Sequence, residues 1–271
     1  MEFSLSKLVR IESGQVGVSI AELKVLLGHY GIDDPTEVER FVQMARASKE
    51  QQGWWTKYKD ATSAQYISFL GYQNSASVIR QFEPMLIPGL LQTEDYARAV
   101  VQELGLSASK EQLDEWVELR MRRQEELFER PNPPEMFFVL GEAALRFHVG
   151  GPEVMRRQLR RLREDARKDN VTIEVVPFSA GAHAGMKGPV VLLEFEGVEE
   201  DVLFLENIRG DMISREEQAE INDFRAVFAR LQELAGEGDL DKLIDDALRQ
   251  LKQAEGAPPA PRPEPRKART A

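Results

Sequence analysis

The stretch Ile87-Pro88-Gly89-Leu90-Leu91-Gln92-Thr93-Glu94-Asp95-Tyr96-Ala97-Arg98 decides how this chain folds. Pro88 cannot donate a backbone hydrogen bond, and Gly89 relaxes the next dihedral, so the chain turns here. Thr93 then caps a helix with its hydroxyl. Glu94 and Asp95 follow in the first turn, where the helix dipole favours negative charge. Just upstream, Val78-Ile79-Arg80-Gln81-Phe82-Glu83 alternates like a strand and Pro84 ends it. The turn therefore joins a strand to a helix, the mark of a mixed α+β body.

The chain has 271 residues, enough for one large or two ordinary domains with real cores. Apolar content of 42% and charged content of 30% suit a globular protein. The absence of cysteine excludes disulfides, thiolate metal sites and thiol catalysis. Three histidines, His29, His148 and His183, are far apart, so a multi-histidine metal site is not expected; no cofactor is expected either. No apolar run approaches the roughly 18 residues needed to span a membrane, and Met1-Glu2-Phe3-Ser4 lacks a signal-peptide pattern. A cytoplasmic protein with no membrane partner is expected. A net charge of −11 argues against general affinity for nucleic acid, although one small domain can still carry a DNA reader.

Along the chain, Ser4 to Ser13 reads as a helix stopped by Gly14. Ser19 caps a second helix, Ile20 to Tyr30, and Asp33-Asp34-Pro35-Thr36 opens a third through Ser48. The aromatic cluster Gly53-Trp54-Trp55-Thr56-Lys57-Tyr58 follows a polar stretch. Simple packing accounts for it; flat aromatics also suit a pocket wall. A long helix from Ser107 or Ser109 to Glu129 mixes apolar Leu113, Trp116, Val117 and Leu127 with Arg120 and Gln124, polar residues on a face that is partly buried. Met136 to Leu140 is a buried strand, Pro152 to Lys168 a basic amphipathic helix, and Val171 to Phe178 an alternating strand. The small-residue loop Ser179 to Gly185 carries His183. Val190 to Phe195 and Val202 to Leu205 form a hairpin. Ser214 caps a helix through Leu234, and Asp239 another to Gln253. The Pro-rich tail cannot bury enough apolar surface to order itself.

Ser4-Leu5-Ser6-Lys7-Leu8-Val9-Arg10-Ile11-Glu12-Ser13-Gly14 resembles the recognition helix of a lambda-repressor-like, XRE-type helix-turn-helix. That resemblance implies a DNA partner: Ser4, Leu5, Ser6 and Lys7 at base edges or phosphates, and Arg10 at the backbone or paired in the neighbourhood of Glu12. The family carries a first helix and a positioning helix ahead of this point, so the motif here is partial. A late start codon, completion by dimerisation, or loss of DNA reading would each account for that. Without those helices, each large apolar side chain left uncovered forfeits roughly 1.5–3 kcal/mol.

The body from Trp54 to Leu234 resembles a C-terminal domain, DUF5753, found beside helix-turn-helix modules in actinobacterial regulators. The matching pieces include Trp54-Trp55-x-x-Tyr58, Glu83-Pro84-x-x-Ile87-Pro88-Gly89-Leu90-Leu91-Gln92-Thr93-x-x-Tyr96-Ala97, Arg120-x-x-Arg123-Gln124 and Val175-x-Pro177-Phe178-x-x-Gly181-x-His183. The resemblance implies control of developmental or secondary-metabolism genes, with a small-molecule ligand or small partner protein. Where that family usually has Leu-Glu-x-x-Ala, this chain has Tyr72-Gln73-Asn74-Ser75-Ala76. Where it often has Tyr-x-Glu, this chain has Phe204-Leu205-Glu206.

The organisation expected is thus a partial all-α helix-turn-helix domain over residues 1–50 and an α+β domain over 54–236, with a small antiparallel sheet flanked by helices. A C-terminal helix over 237–255 and a disordered tail over 256–271 follow. The expected function is DNA-binding transcriptional regulation by a homodimer. The alternative is a small-molecule binder or repurposed enzyme that no longer reads DNA. Expected pocket residues are Trp54, Trp55, Tyr58, Tyr72, Gln73, Gln92, Tyr96, Arg120 and Gln124. No catalytic residue is assigned; an enzyme would draw on His183, Glu142 and Glu206 as proton carriers.

Overall fold

In the computed structural model, Thr93 accepts a hydrogen bond from the Tyr96 backbone N–H at 3.3 Å, and the helix beyond it runs over Glu94–Leu104. The structure describes residues 7–8, 11, 18–50, 53–105, 108–196, 200–206, 212–215, 218–236 and 239–255, without the side chains of 44, 46–50, 206, 212–215 and 254–255. The tail over 256–271 and most of the Ser4–Gly14 motif lie outside these residues, as do Ser107 and Gly14.

Besides Lys7, Leu8 and Ile11, which are also helical, the α-helices of the described residues are α1 (Ile20–His29), α2 (Pro35–Glu50), α3 (Ala64–Ser75), α4 (Glu94–Leu104), α5 (Lys110–Phe128), α6 (Ala143–Arg146), α7 (Pro152–Asp165), α8 (Gln218–Ala235) and α9 (Leu240–Glu255). The strands are β1 (Val78–Glu83), β2 (Glu135–Gly141), β3 (Val171–Val176), β4 (Val190–Glu194), β5 (Val202–Glu206) and β6 (Met212–Arg215). The fold is α+β.

Local chemistry sets most helix starts. Ser19 and Glu22 form a reciprocal capping box on α1, and Ser109 and Gln112 form another on α5. Ser63 caps α3, and Asp34 and Asp239 accept backbone N–H bonds at the openings of α2 and α9. Gly31, at φ 76°, takes the left-handed conformation that ends the α1 turn. At the other end of α3, the Arg130 guanidinium donates to the carbonyls of Asn74 and Ala76, both at 2.7 Å. Those carbonyls belong to the last turn and would otherwise lack partners. Burial holds the Arg130 pKa below its ordinary value.

The described residues fall into two compact units. The first draws on Met1–Ile79, Ser109–Glu135 and Val190–Asp223. It holds α1, α2, a 3-10 turn over Trp54–Tyr58, α3, α5 and the antiparallel strands β4-β5-β6. Its core includes Phe69, Leu70, Leu192, Leu193 and Phe204, all under 3% exposed.

The second draws on Arg80–Ala108, Met136–Pro189 and Phe224–Ala271. Its strands run β3-β2-β1, and β2 and β3 are parallel, with Met136 opposite Val171 and Val139 opposite Glu174. This corrects the expectation of a wholly antiparallel sheet. The chain between β2 and β3 passes through α7, a crossover long enough to return a strand in the same direction, which a tight hairpin cannot do. Gly141 closes β2 against Pro84: a Cβ at Gly141 would fall 2.4 Å from the Pro84 carbonyl oxygen. A second correction concerns Ser214. It lies inside strand β6, opposite Phe204, and α8 opens at Gln218. Pairing with β5 overrides the local capping signal.

The arginine-rich face of α7 is not a free cationic surface. Arg157 pairs with Asp95 at 2.6 Å, Arg161 with Asp165 at 2.8 Å, and Arg163 with Asp241 and Asp245 at 2.7 and 2.6 Å. The first of these ties α7 to α4, the second is internal to α7, and the last two tie it to α9. Beneath them Gln158, fully buried, accepts from the Thr93 backbone N–H and donates to the Leu91 carbonyl, each at 2.7 Å. Replacing Gln158 with Leu keeps the volume and orphans both backbone groups. The expected loss is about 2–5 kcal/mol of stability, seen as a lower urea midpoint with an unchanged slope.

Candidate ligand site

In the first unit, α3 and α5 carry the polar groups of interest. The turn Trp54–Tyr58 forms because Gly53 offers its carbonyl to both the backbone N–H and the hydroxyl of Thr56, each at 2.9 Å. Trp54 meets Trp55 and Tyr58 edge-on, at ring distances of 5.8 and 6.2 Å. Trp55 and Tyr58 are buried; the Trp54 indole N–H is buried without a partner. Trp54, Lys57, Glu118, Met121, Arg122 and Glu125 line an open cleft of about 470 Å³.

The cleft's charges are paired among themselves. Glu118 accepts from Tyr58 Oη at 2.8 Å and from Lys57 Nζ at 3.0 Å. Arg122 pairs with Glu126 at 2.5 Å and Glu125 at 3.2 Å. The Tyr58 hydrogen bond, then that of Lys57, holds the Glu118 carboxyl below its ordinary pKa. Burial raises the Tyr58 phenol.

Gln73 is buried on α3, and Tyr72 beside it is 38% exposed, with ring contacts to Phe195 at 6.2 Å and Phe204 at 5.8 Å. On α5, Arg120 is half-buried and Gln124 buried. Arg123, which the sequence reading quoted between Arg120 and Gln124 but did not place in the pocket, is 7% exposed. Its Nε donates to Gln73 Oε1 at 2.5 Å, its Nη1 donates to Tyr66 Oη at 3.1 Å, and its guanidinium lies 4.9 Å from the Phe69 ring centre. The signal was the spacing Leu119-Arg123-Leu127: all three are buried, and four-residue steps stay on one helix face.

Gln92 and Tyr96 belong to the second unit and are 3% and 0% exposed. Gln92 Nε2 donates to the Ile87 carbonyl at 2.7 Å, and Tyr96 Oη accepts from the Ile87 backbone N–H at 3.2 Å. They stitch the turn to its helix. The first unit thus gathers Trp54, Trp55, Tyr58, Tyr72, Gln73, Arg120 and Gln124, but not these two.

The proton-carrier candidates are also in the second unit where described. Glu142 accepts from Arg146 at 2.8 Å and from the Phe178 backbone N–H at 2.8 Å, which fixes the loop after β3. His183 sits edge-on to Phe82 at 6.0 Å, its Nδ1 buried without a partner. The Glu206 side chain lies outside the described residues. Of the DNA-contact candidates, Lys7 is half-exposed and pairs with Glu22 at 2.5 Å; Ser4, Leu5, Ser6 and Arg10 lie outside the described residues. Among the described residues no cluster of histidine and carboxylate suits a metal, and no helix is long and apolar enough to cross a membrane.

The family model for the domain of unknown function DUF5753 matches residues 66–239. The match covers more than half of the chain, which therefore belongs to that family. Comparison with curated proteins and with solved structures gives no match.

The Glu118 clasp has a definite pH dependence. Its folded pKa lies below 4.5, so the clasp is complete above that value and is lost as pH falls through the lowered one. In a carboxyl NMR titration, Tyr58→Phe is expected to move the Glu118 midpoint upward. An unmoved midpoint would show that the phenol does not hold it.

Proposed function

We propose that the chain is an XRE-type transcriptional regulator whose DUF5753 body binds an effector. The observation that carries the reading is the helical segment ahead of the body. Lys7, Leu8 and Ile11, the described members of the recognition-helix motif, are helical, and α1 and α2 follow with Leu26, Leu27 and Val42 buried. A packed helical N-terminal segment is what a DNA reader needs to hold its recognition helix. In the same reading the protein is cytoplasmic and dimeric, and it controls developmental or secondary-metabolism genes in an actinobacterium.

A second reading is favoured by the Lys7–Glu22 pair. Lys7 is held by a carboxylate rather than free for phosphate, and its hydrogen bond, helped by the Ser19 backbone N–H that donates to Glu22 Oε2 at 2.9 Å, lowers the Glu22 pKa to about 2. With a net charge of −11, this supports an effector-binding module that does not read DNA unaided.

Gel retardation with DNA from upstream of its own gene separates the two. The regulator is expected to retard that DNA at low salt, with affinity falling as salt rises. Lys7→Ala is expected to flatten the salt slope by about one ion. No retardation at about 50 mM salt, where phosphate contacts are strongest, would leave the second reading.

A further inference from the structure

We propose that Arg123 and Gln73 form a binding site for the carboxylate of a small organic acid. The proposal rests on the effector half of the reading above and is independent of DNA binding. A guanidinium is a cation with five N–H donors and no acceptor. Yet at Arg123 the partners, Gln73 Oε1, Tyr66 Oη and the Phe69 ring, are all neutral, and among the described residues no carboxylate reaches it. Buried charges are ordinarily paired, because an uncompensated one is strongly destabilising.

Gln73 supplies the second observation. It is 1% exposed, and its oxygen is spent on Arg123, so its Nε2 is buried with no acceptor. A guanidinium and an amide donor, bonded to one another, thus lack the same thing: an acceptor with negative charge. Water would answer the amide but not the charge. A carboxylate answers both, since its two oxygens accept from several planar donors at once.

The surroundings select an organic acid over a hydrated inorganic ion. Phe69 meets Phe204 at 4.9 Å and Tyr66 at 5.7 Å, and Tyr72 meets Phe204 at 5.8 Å. These rings suit a hydrocarbon group, whereas phosphate would lose its hydration against them. Tyr72, 38% exposed, gives the cluster an edge at the surface.

The test uses the full chain, with calorimetry and thermal unfolding in benzoate or phenylacetate, against benzamide and inorganic phosphate. The carboxylates are expected to bind and raise the unfolding temperature; the amide and phosphate are not. Arg123→Met risks misfolding, so Gln73→Glu is the decisive variant. It places a carboxylate of the chain's own on the Arg123 Nε. It is expected to unfold at higher temperature without ligand and to bind benzoate about tenfold or more weakly. The proposal is overturned if neither carboxylate binds, if phosphate is bound as well, or if Gln73→Glu keeps the benzoate affinity. Gel retardation of the same samples reports on DNA reading separately.

Discussion

One side-chain amide, that of Gln158, makes the central turn of the second unit possible. Leu90, Leu91 and Gln92 are at most 3% exposed, so the turn that carries them takes its backbone into the core. Irregular backbone rarely survives there, because its N–H and carbonyl groups have no regular partners. Gln158 offers one donor and one acceptor in the same plane, and it meets the Leu91 carbonyl and the Thr93 N–H. Gln92 and Tyr96 do the same for Ile87. The most recognisable string in the chain is therefore a device for burying a turn. Its polar residues are explained without a ligand.

The same test, applied to the first unit, gives a different result. Buried polar networks are stable when every member is satisfied, and costly when one is not. Around the turn the groups are neutral and matched. Around Arg123 no carboxylate among the described residues matches the charge, and the neighbouring amide is half-used. Departures of this kind collect at functional sites, where a partner from outside completes the set. The buried turn meets its polar groups from within the chain, whereas the Arg123 cluster leaves the Gln73 amide donor unmet.

Much of the fold was legible because it is written locally. Ser19, Thr93 and Asp239 read as caps, Ser109 as one of two candidates with Ser107, and each of these four accepts a backbone N–H at its helix start. What was not legible depends on distant partners. The four residues of β6 form a strand because β5 lies beside them, and no capping rule at Ser214 reports that. The direction of β3 against β2 follows from the α7 crossover rather than from either strand. At the site, Gln73 and Tyr72 stood out as substitutions in a recognisable pattern. Arg123 did not, because charge draws the eye to a solvated face, and its helical phase with Leu119 and Leu127 was the better guide. Gln92 and Tyr96 were drawn into the pocket by the specificity of their string, which says nothing about whether a side chain faces a ligand or its own backbone.

Energetics separate the two places where the first unit presents unsatisfied donors. In the open cleft Lys57, Glu118 and Arg122 are 59%, 63% and 48% exposed and already paired. Exposed pairs of this kind contribute about 0–1 kcal/mol, and an entering ligand must displace both them and water to gain as little. The Trp54 indole N–H adds one neutral hydrogen bond to that balance. At Arg123 the desolvation of the cation has already been met on folding, and among the described residues no carboxylate competes for it. An anion arriving there recovers most of its interaction as net affinity, because the donors are fixed in place before it binds. Preorganisation, more than cleft volume, is what makes the buried guanidinium the stronger place to hold an effector.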